Sequence, residues 1–228
     1  MKPHCYDEYA AIFDLYSNVH LFPQNLRFVE IVAERLRPGH RVTDVGGGTG
    51  MFTAELLERV PWVELTFVEP SPPMMAIAAE RLPLSVDLVH SPLSADLLAG
   101  MPAQDVFVFQ RSLYSLHGEV EPYRALAGQL AARTAPGGQV AVYEMPGPYD
   151  VELVRDYYTV NREVLGITEA TFEETWPVME RVFAEFNEGI GDGRYTLFDR
   201  ARLDDVFGGA GFRCTLQEGT TFVYTLEG

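Results

Sequence analysis

Apolar and polar positions follow two rhythms between residues 41 and 146. Short runs rich in β-branched residues read as strands: "RVTDVG" (41–46), "VELTFVE" (63–69), "VDLVH" (86–90), "DVFVFQ" (105–110) and "GQVAVYEM" (138–145). Between them the period lengthens. Phe52, Leu56 and Val60 recur at i, i+4 and i+8, and Tyr123, Leu126, Ala127 and Leu130 share one face of a second helical stretch. Strand and helix in alternation are the signature of βαβ units, so these five strands are expected to lie parallel with helices against them. Pro122 suits a first helical turn, and "APGG" at 135–138 stops that helix and sets the start of the fifth strand.

The tail changes pattern. "DRARLDDVFGGAGF" reads as a short helix ended by glycine, and "RCTLQEGTTFVYTLEG" as two strands turning at Glu218 and Gly219, a closing hairpin that brings the expected strand total to seven. Two segments fall outside the βα rhythm. "YDEYAAIFDLY" (6–16) puts Tyr9, Ile12, Phe13 and Tyr16 on one helical face. Residues 150–190 read as two helices, with Leu153, Val154, Tyr157, Val160 and Val164 on the first and Phe172, Trp176, Met179, Phe183 and Phe186 on the second. The plain reading of these apolar positions is extra core. An insertion at the carboxyl ends of the strands also stands where a lid over a ligand would stand. One domain over 1–228 is expected, with a cap helix at 5–20 and a helical lid at 148–196.

Composition narrows the partners. At 228 residues, 47% hydrophobic and 22% charged, the chain can bury one sizeable core. No apolar run approaches the roughly 20 residues that span a bilayer, and "MKPHCYDEYA" lacks the apolar centre of a signal peptide. A cytoplasmic protein without a membrane partner is expected. Cys5 and Cys214 lack neighbours at metal-site spacing, so reduced thiols are expected, with Cys214 buried on a strand. The formal charge of -16 repels phosphate backbones, which argues against nucleic acid and is compatible with a cationic ligand. Oligomeric state is not legible.

The chemistry begins at "VTDVGGGTG" (42–50), where a glycine-rich turn lets backbone N–H groups approach a ligand closely. A dinucleotide fingerprint requires glycine or alanine where Met51 stands, which weakens a nicotinamide reading. The spacing present is D-x-G-x-G-x-G, on Asp44, Gly46, Gly48 and Gly50. This resembles the first motif of the class I S-adenosylmethionine (SAM) dependent methyltransferases. "LTFVEPSPPMMAIAAERL", "APGGQVAVYE" and "LDDVFGGAGF" resemble further family features, so the likeness covers most of residues 40–225. It implies an α/β fold: a Rossmann-like, doubly wound, mostly parallel sheet with an antiparallel C-terminal hairpin. It also implies SAM as cofactor and S-adenosylhomocysteine as product.

The resemblance assigns positions. Gly46, Gly47, Gly48 and Gly50 would pass beneath the methionine part of SAM, and Asp44 would position the loop and the amino group. Glu69 would accept both ribose hydroxyls, a role that suits the two oxygens of a carboxylate. Pro70 and Met74 would flank the adenine. Ser91, Pro92 and Leu93 stand where the family often has a Gly-Asp pair, so adenine would be held by backbone and apolar contact. The "YD" helix would fold over the cofactor, with Tyr6 and Tyr9 as aromatic walls for a sulfonium and Phe13 where a second tyrosine often stands.

Methyl transfer from a sulfonium neutralises charge, so alignment and desolvation can supply much of the rate, and a base is needed only when the acceptor must lose a proton. In the strand-four exit "FQRSLYSLHGEVEP", Gln110, Arg111, Ser112 and Tyr114 are expected to face the methyl group or methionine tail, with His117 as the proton acceptor. Arg111 needs an anionic partner, either the SAM carboxylate or an acidic substrate. "QRSLY" excludes the "NPPY"-type amino methyltransferases, and Gln110 with "YEMPGP" lacks the acidic ligands of the metal-dependent catechol type, so no metal is expected. Tyr9, Phe13, Tyr143, Glu144, Tyr157, Tyr158, Asn161 and Trp176 would enclose a small, partly apolar acceptor, a form common in specialised metabolism. Two other readings stay open: SAM as its own substrate, releasing methylthioadenosine, and a non-catalytic SAM-binding protein. The methylated atom does not follow from these residues.

Overall fold

The computed structural model describes residues 5–17, 23–116, 120–145 and 147–227, with the side chains of Cys5, Tyr6 and Glu8 outside that description. Seven strands form one sheet in the order β3-β2-β1-β4-β5-β7-β6. They are β1 (Arg41–Val45), β2 (Glu64–Val68), β3 (Asp87–Val89), β4 (Gln104–Gln110), β5 (Thr134–Tyr143), β6 (Phe212–Glu218) and β7 (Thr221–Leu226). β1 to β5 pair in parallel, and β7 runs antiparallel to both β5 and β6, as the expected closing hairpin requires.

Both faces are covered. In β4, Val106 and Val108 enter one core cluster with Phe28, Leu56, Phe67 and Ala141, while Phe107 and Phe109 enter another with Tyr123, Leu130, Val140 and Tyr224. This two-residue alternation, apolar on both sides, is what a strand buried between helices must show. The first face carries α2 (Pro23–Ala33), α3 (Met51–Arg59) and α4 (Pro72–Arg81). The second carries α6 (Val120–Ala131) and α9 (Arg200–Gly208), with Leu98 of α5 (Ala95–Gly100) buried beside them. A third cluster joins α1 (Cys5–Ser17), Met74 of α4, α7 (Val151–Asn161) and α8 (Glu169–Gly191) through Tyr9, Tyr16, Tyr158, Phe172 and Trp176. Ser71, Asp150, Thr168 and Asp199 cap α4, α7, α8 and α9 through side-chain oxygens, which explains why those helices start there.

Three details depart from the sequence expectations. β5 begins at Thr134, so "APGG" lies inside the strand: Gln104 pairs with Thr134 and Val106 with Gln139, and the bulged residues include Gly137 at φ 74°. A Cβ on Gly138 would come within 3.0 Å of the Asp105 carbonyl oxygen, so glycine here serves close strand approach rather than helix termination. On α7 the plain core reading fails for Leu153, Tyr157 and Val160, as it does for Val164 just beyond, all of which are exposed. The helix turns Tyr158 inward instead, and its hydroxyl donates to the Tyr16 carbonyl. Cys214 is a free thiol on β6, but half-buried rather than buried.

Candidate active site

The strand order reverses between β1 and β4, and in open α/β sheets ligands sit in the crevice at such a switch point. The loop leaving β1 holds Gly46, Gly48 and Gly50 at φ 68°, 61° and 78°, left-handed values that suit glycine. Gly47 is constrained by space: a Cβ there would stand 2.1 Å from Phe67 Cε2 and 2.8 Å from Asp44 Oδ2. Gly50 is the N-cap of α3 and offers no side-chain cap, which leaves the first-turn N–H groups available to a ligand.

Two carboxylates bracket the loop. Glu69, just past β2, accepts from the Gly48 N–H at 2.8 Å and from the Ser71 N–H at 2.7 Å, tying together the loops after β1 and β2. Asp44, buried in β1, accepts from the Thr53 hydroxyl at 2.5 Å through Oδ2, while its buried Oδ1 closes no hydrogen bond. Burial pushes the Asp44 carboxyl up to about 7; the Thr53 hydrogen bond opposes this and the Glu69 charge adds to it.

Helix α1 lies across this loop. Asp7 accepts from the Ser71 hydroxyl at 2.5 Å, and Asp14 accepts from the Thr49 hydroxyl at 2.6 Å and pairs with Arg81. Phe13 Cε1 is 3.9 Å from where a Gly48 Cβ would be, and Tyr9 is buried with its ring centroid 5.4 Å from that of Phe13. The side chain of Tyr6 lies outside the described residues. The aspartate clasp is not legible in the sequence, because its partners are 35, 64 and 67 positions apart and leave no periodic signal.

Of the residues assigned to adenine, Met74 is buried beneath the helical cluster and Pro70 is exposed, its carbonyl 3.2 Å from His90 Nε2. Ser91 donates to the Pro92 carbonyl at 3.0 Å, and Leu93 packs on the second core cluster. These residues line the exits of β2 and β3, beside the crevice.

At the β4 exit, Gln110 pairs with Tyr143 across the sheet. The Ser112 hydroxyl donates to the Val45 carbonyl, and its Cβ lies 2.7 Å from where a Gly46 Cβ would be, so this serine braces the glycine loop. Arg111 donates to the Tyr143 hydroxyl at 3.0 Å and sits 5.1 Å over that ring. Burial works to lower the Arg111 pKa, but the oxygens of Tyr143, Tyr149 and Tyr158 outweigh it and the net shift is upward. Glu144, just past β5 and 1% exposed, accepts from the Leu113 N–H at 2.9 Å through Oε1, while Oε2 closes no hydrogen bond. Burial pushes its carboxyl up to about 8, against the Leu113 and Met145 amides and the Arg111 charge.

Arg111, Tyr143, Glu144, Tyr149 and Tyr158 thus form one electrostatically linked group. Tyr149 was missed by sequence reasoning; its one signal was an aromatic at the entry to the lid. Trp176 is buried in the lid and its Nε1 closes no hydrogen bond. Tyr114 packs edge-on between Phe186 and Tyr195, at 5.1 and 5.3 Å. Tyr157 is 40% exposed with its ring centroid 5.5 Å from that of Tyr158, and the Asn161 amide donates to the Tyr157 carbonyl at 2.7 Å. His117, the expected base, lies outside the described residues.

The two raised carboxyls give a stability prediction. The folded chain holds protons on Asp44 and Glu144 that the unfolded chain, with ordinary values of 3.8 and 4.5, has released. Their contribution is therefore complete below those ordinary values and is lost as pH rises through about 7 and about 8. Thermal melts of the ligand-free protein from about pH 5 to about pH 8 should show Tm falling, and the double variant Asp44→Asn, Glu144→Gln should flatten the slope. A Tm that climbs over this range would contradict the assignment.

A seven-stranded, mostly parallel sheet with an antiparallel C-terminal hairpin and a glycine loop at its switch point defines the class I SAM-dependent methyltransferases. Residues 18–217 match the family model described as a methyltransferase domain, and the chain belongs to that family. It is 31% identical over 150 residues to demethylmenaquinone methyltransferase of Thermus thermophilus, covering 63% of this chain and 65% of that protein. It is 33% identical over 143 residues to trans-aconitate 2-methyltransferase of Acidovorax sp., covering 61% of this chain and 50% of that protein. The matches thus span less than two thirds of either relative. Among solved structures, the SAM-bound amino pentose methyltransferase of Micromonospora echinaspora superposes with TM-score 0.60 at 19% identity, covering 96% of each chain, which supports the fold alone.

Proposed function

We propose that the chain transfers the methyl group of SAM to a small-molecule acceptor held between the β4 and β5 exits and the α7–α8 lid. The observation that carries this is the glycine loop at the switch point, bracketed by Glu69 and by a buried Asp44 with one oxygen unsatisfied. The residues fit the cofactor. Asp44 Oδ1 can accept from its ammonium group, Glu69 can hold the ribose hydroxyls, and the close-packed glycines leave the backbone bare beneath it. When bound, SAM supplies an electrophilic methyl group on a sulfonium. Tyr9 and Phe13 would wall that cation, and α1, clasped by Asp7 and Asp14, would exclude water.

In this reading Gln110, Arg111 and Ser112 would meet the acceptor beside the methyl group, with Tyr143, Glu144 and Trp176 enclosing it. A small acceptor is supported by the aromatic lid and by the small molecules in the relatives' names. We place the reaction in specialised metabolism and the protein in the cytoplasm, as one domain with cap and lid. No described helix is long and apolar enough to cross a membrane, and the charge of -16 disfavours nucleic acid.

Calorimetry with SAM, followed by incubation with small acceptors, tests the proposal. Binding, then S-adenosylhomocysteine that forms only when acceptor is added, is the expected result. Methylthioadenosine from SAM alone would reassign the reaction to one within SAM. No binding at millimolar SAM, well above affinities typical of such sites, would end every cofactor-based reading.

A further inference from the structure

Glu144 is held at three points. Its amide donates to the Thr220 carbonyl at 3.2 Å, its Oε1 accepts from Leu113 at 2.9 Å, and its backbone continues β5 one residue beyond Tyr143. Those constraints fix where the remaining oxygen lies. The Met145 amide also acts on this carboxylate, yet Oε2 is buried and closes no hydrogen bond, an arrangement that is costly unless a ligand supplies the partner. The ionisable groups acting at this position are Arg111 from the β4 exit, Tyr149 from the segment entering α7, and Tyr143, which bridges to Arg111. The β6–β7 turn contributes the uncharged Thr220 carbonyl.

We propose that Glu144 Oε2 accepts the proton of a hydroxyl group on the acceptor, so that this site performs O-methylation of a protic small molecule. The inference rests on the methyltransferase reading above. In the step, a lone pair of the acceptor oxygen forms the bond to the methyl carbon, and the electron pair of the breaking carbon–sulfur bond stays on sulfur. The hydroxyl proton passes to the ionised Glu144. Oxygen is favoured over amine nitrogen by Arg111: an ammonium acceptor would enter a buried site beside a guanidinium, where like charges repel strongly. A hydroxyl brings no charge, and other oxygens on the same molecule can accept from the guanidinium of Arg111. A carboxyl near 8 is also a far stronger base, once ionised, than an ordinary glutamate.

The test combines a spectroscopic and a kinetic readout on the full chain. Infrared difference spectra of the ligand-free wild type against Glu144→Gln should show one protonated-carboxyl band, present at neutral pH and titrating away in mild alkali. Turnover is then followed by S-adenosylhomocysteine release on matched phenols and anilines of the same skeleton. The expected result is methylation of phenols, with kcat/KM rising along a one-proton limb. Glu144→Gln should lose that limb and on the order of 10²-fold or more in kcat while SAM affinity is unchanged. Glu144→Asp keeps a carboxylate and should keep the limb at a lower rate. The proposal is overturned if Glu144→Gln retains the wild-type limb, if only anilines react, if no phenol reacts although SAM binds, or if the carboxyl band is absent. Failure of the wild type to bind SAM would instead overturn the methyltransferase reading, and calorimetry separates the two.

Discussion

Replacing Glu69 by alanine is expected to remove measurable SAM binding, the largest functional loss of any single change in this chain. The carboxylate already accepts from the Gly48 and Ser71 amides, and its oxygens have about four acceptor positions, so the ribose hydroxyls can be held at the same time. Alanine loses both functions. It leaves two N–H donors unsatisfied, at about 1–3 kcal/mol each, and frees the loops after β1 and β2 from one another. Glu69→Gln separates the effects: the isosteric amide keeps one oxygen acceptor, so chemical denaturation should show a smaller loss, while SAM affinity by calorimetry should still fall by on the order of 10²-fold. If Glu69→Gln binds SAM within twofold of wild type, Glu69 does not hold the ribose.

The second large effect is expected at Gly47. An alanine Cβ would lie 2.1 Å from the ring of Phe67, which is 0% exposed and packed in the first core cluster. Overpacking a filled core costs about 1–3 kcal/mol, and here the same Cβ also presses on Asp44 Oδ2, 2.8 Å away. Gly47→Ala should therefore lower Tm by several degrees and weaken SAM binding together. Gly128→Ala is the control: it lies in α6 with nothing within 4 Å of the added Cβ, and it should be neutral or slightly stabilising. Equal melts for the two variants would show that the loop yields more readily than its packing implies.

Periodicity and glycine punctuation were enough to read the sheet. The alternation in "DVFVFQ" became β4, buried on both faces, and "EG" at 218–219 became the end of β6 and the first residue of its turn to β7. The start of β5 misled because glycine stops helices and also permits bulges, and only the partner strand decides which. On α7 the apolar residues did not reveal which face turns inward; contact with Tyr16 settles that, through Tyr158.

At the candidate site, the glycine loop itself was legible from its spacing. Groupings made across the fold were not. The clasp of Asp14 with Thr49 and Arg81, and the gathering of Arg111 with Tyr143, Tyr149 and Tyr158, depend on where separate elements meet. A carboxylate such as Glu144 looks in sequence like any other acid, and only burial marks it out.

Arg111 is the one non-glycine residue at positive φ, 53°, among the described residues, and its amide is pinned there by the Tyr143 carbonyl at 2.6 Å. Holding a residue with a Cβ in that conformation costs about 1–3 kcal/mol, which glycine would avoid. A designer optimising this backbone for thermal resistance alone would therefore write glycine or asparagine at 111, and would delete the guanidinium in doing so. Any campaign to harden this scaffold that means to keep the proposed acceptor site should hold that position fixed, since the cheapest gain in robustness there removes the guanidinium.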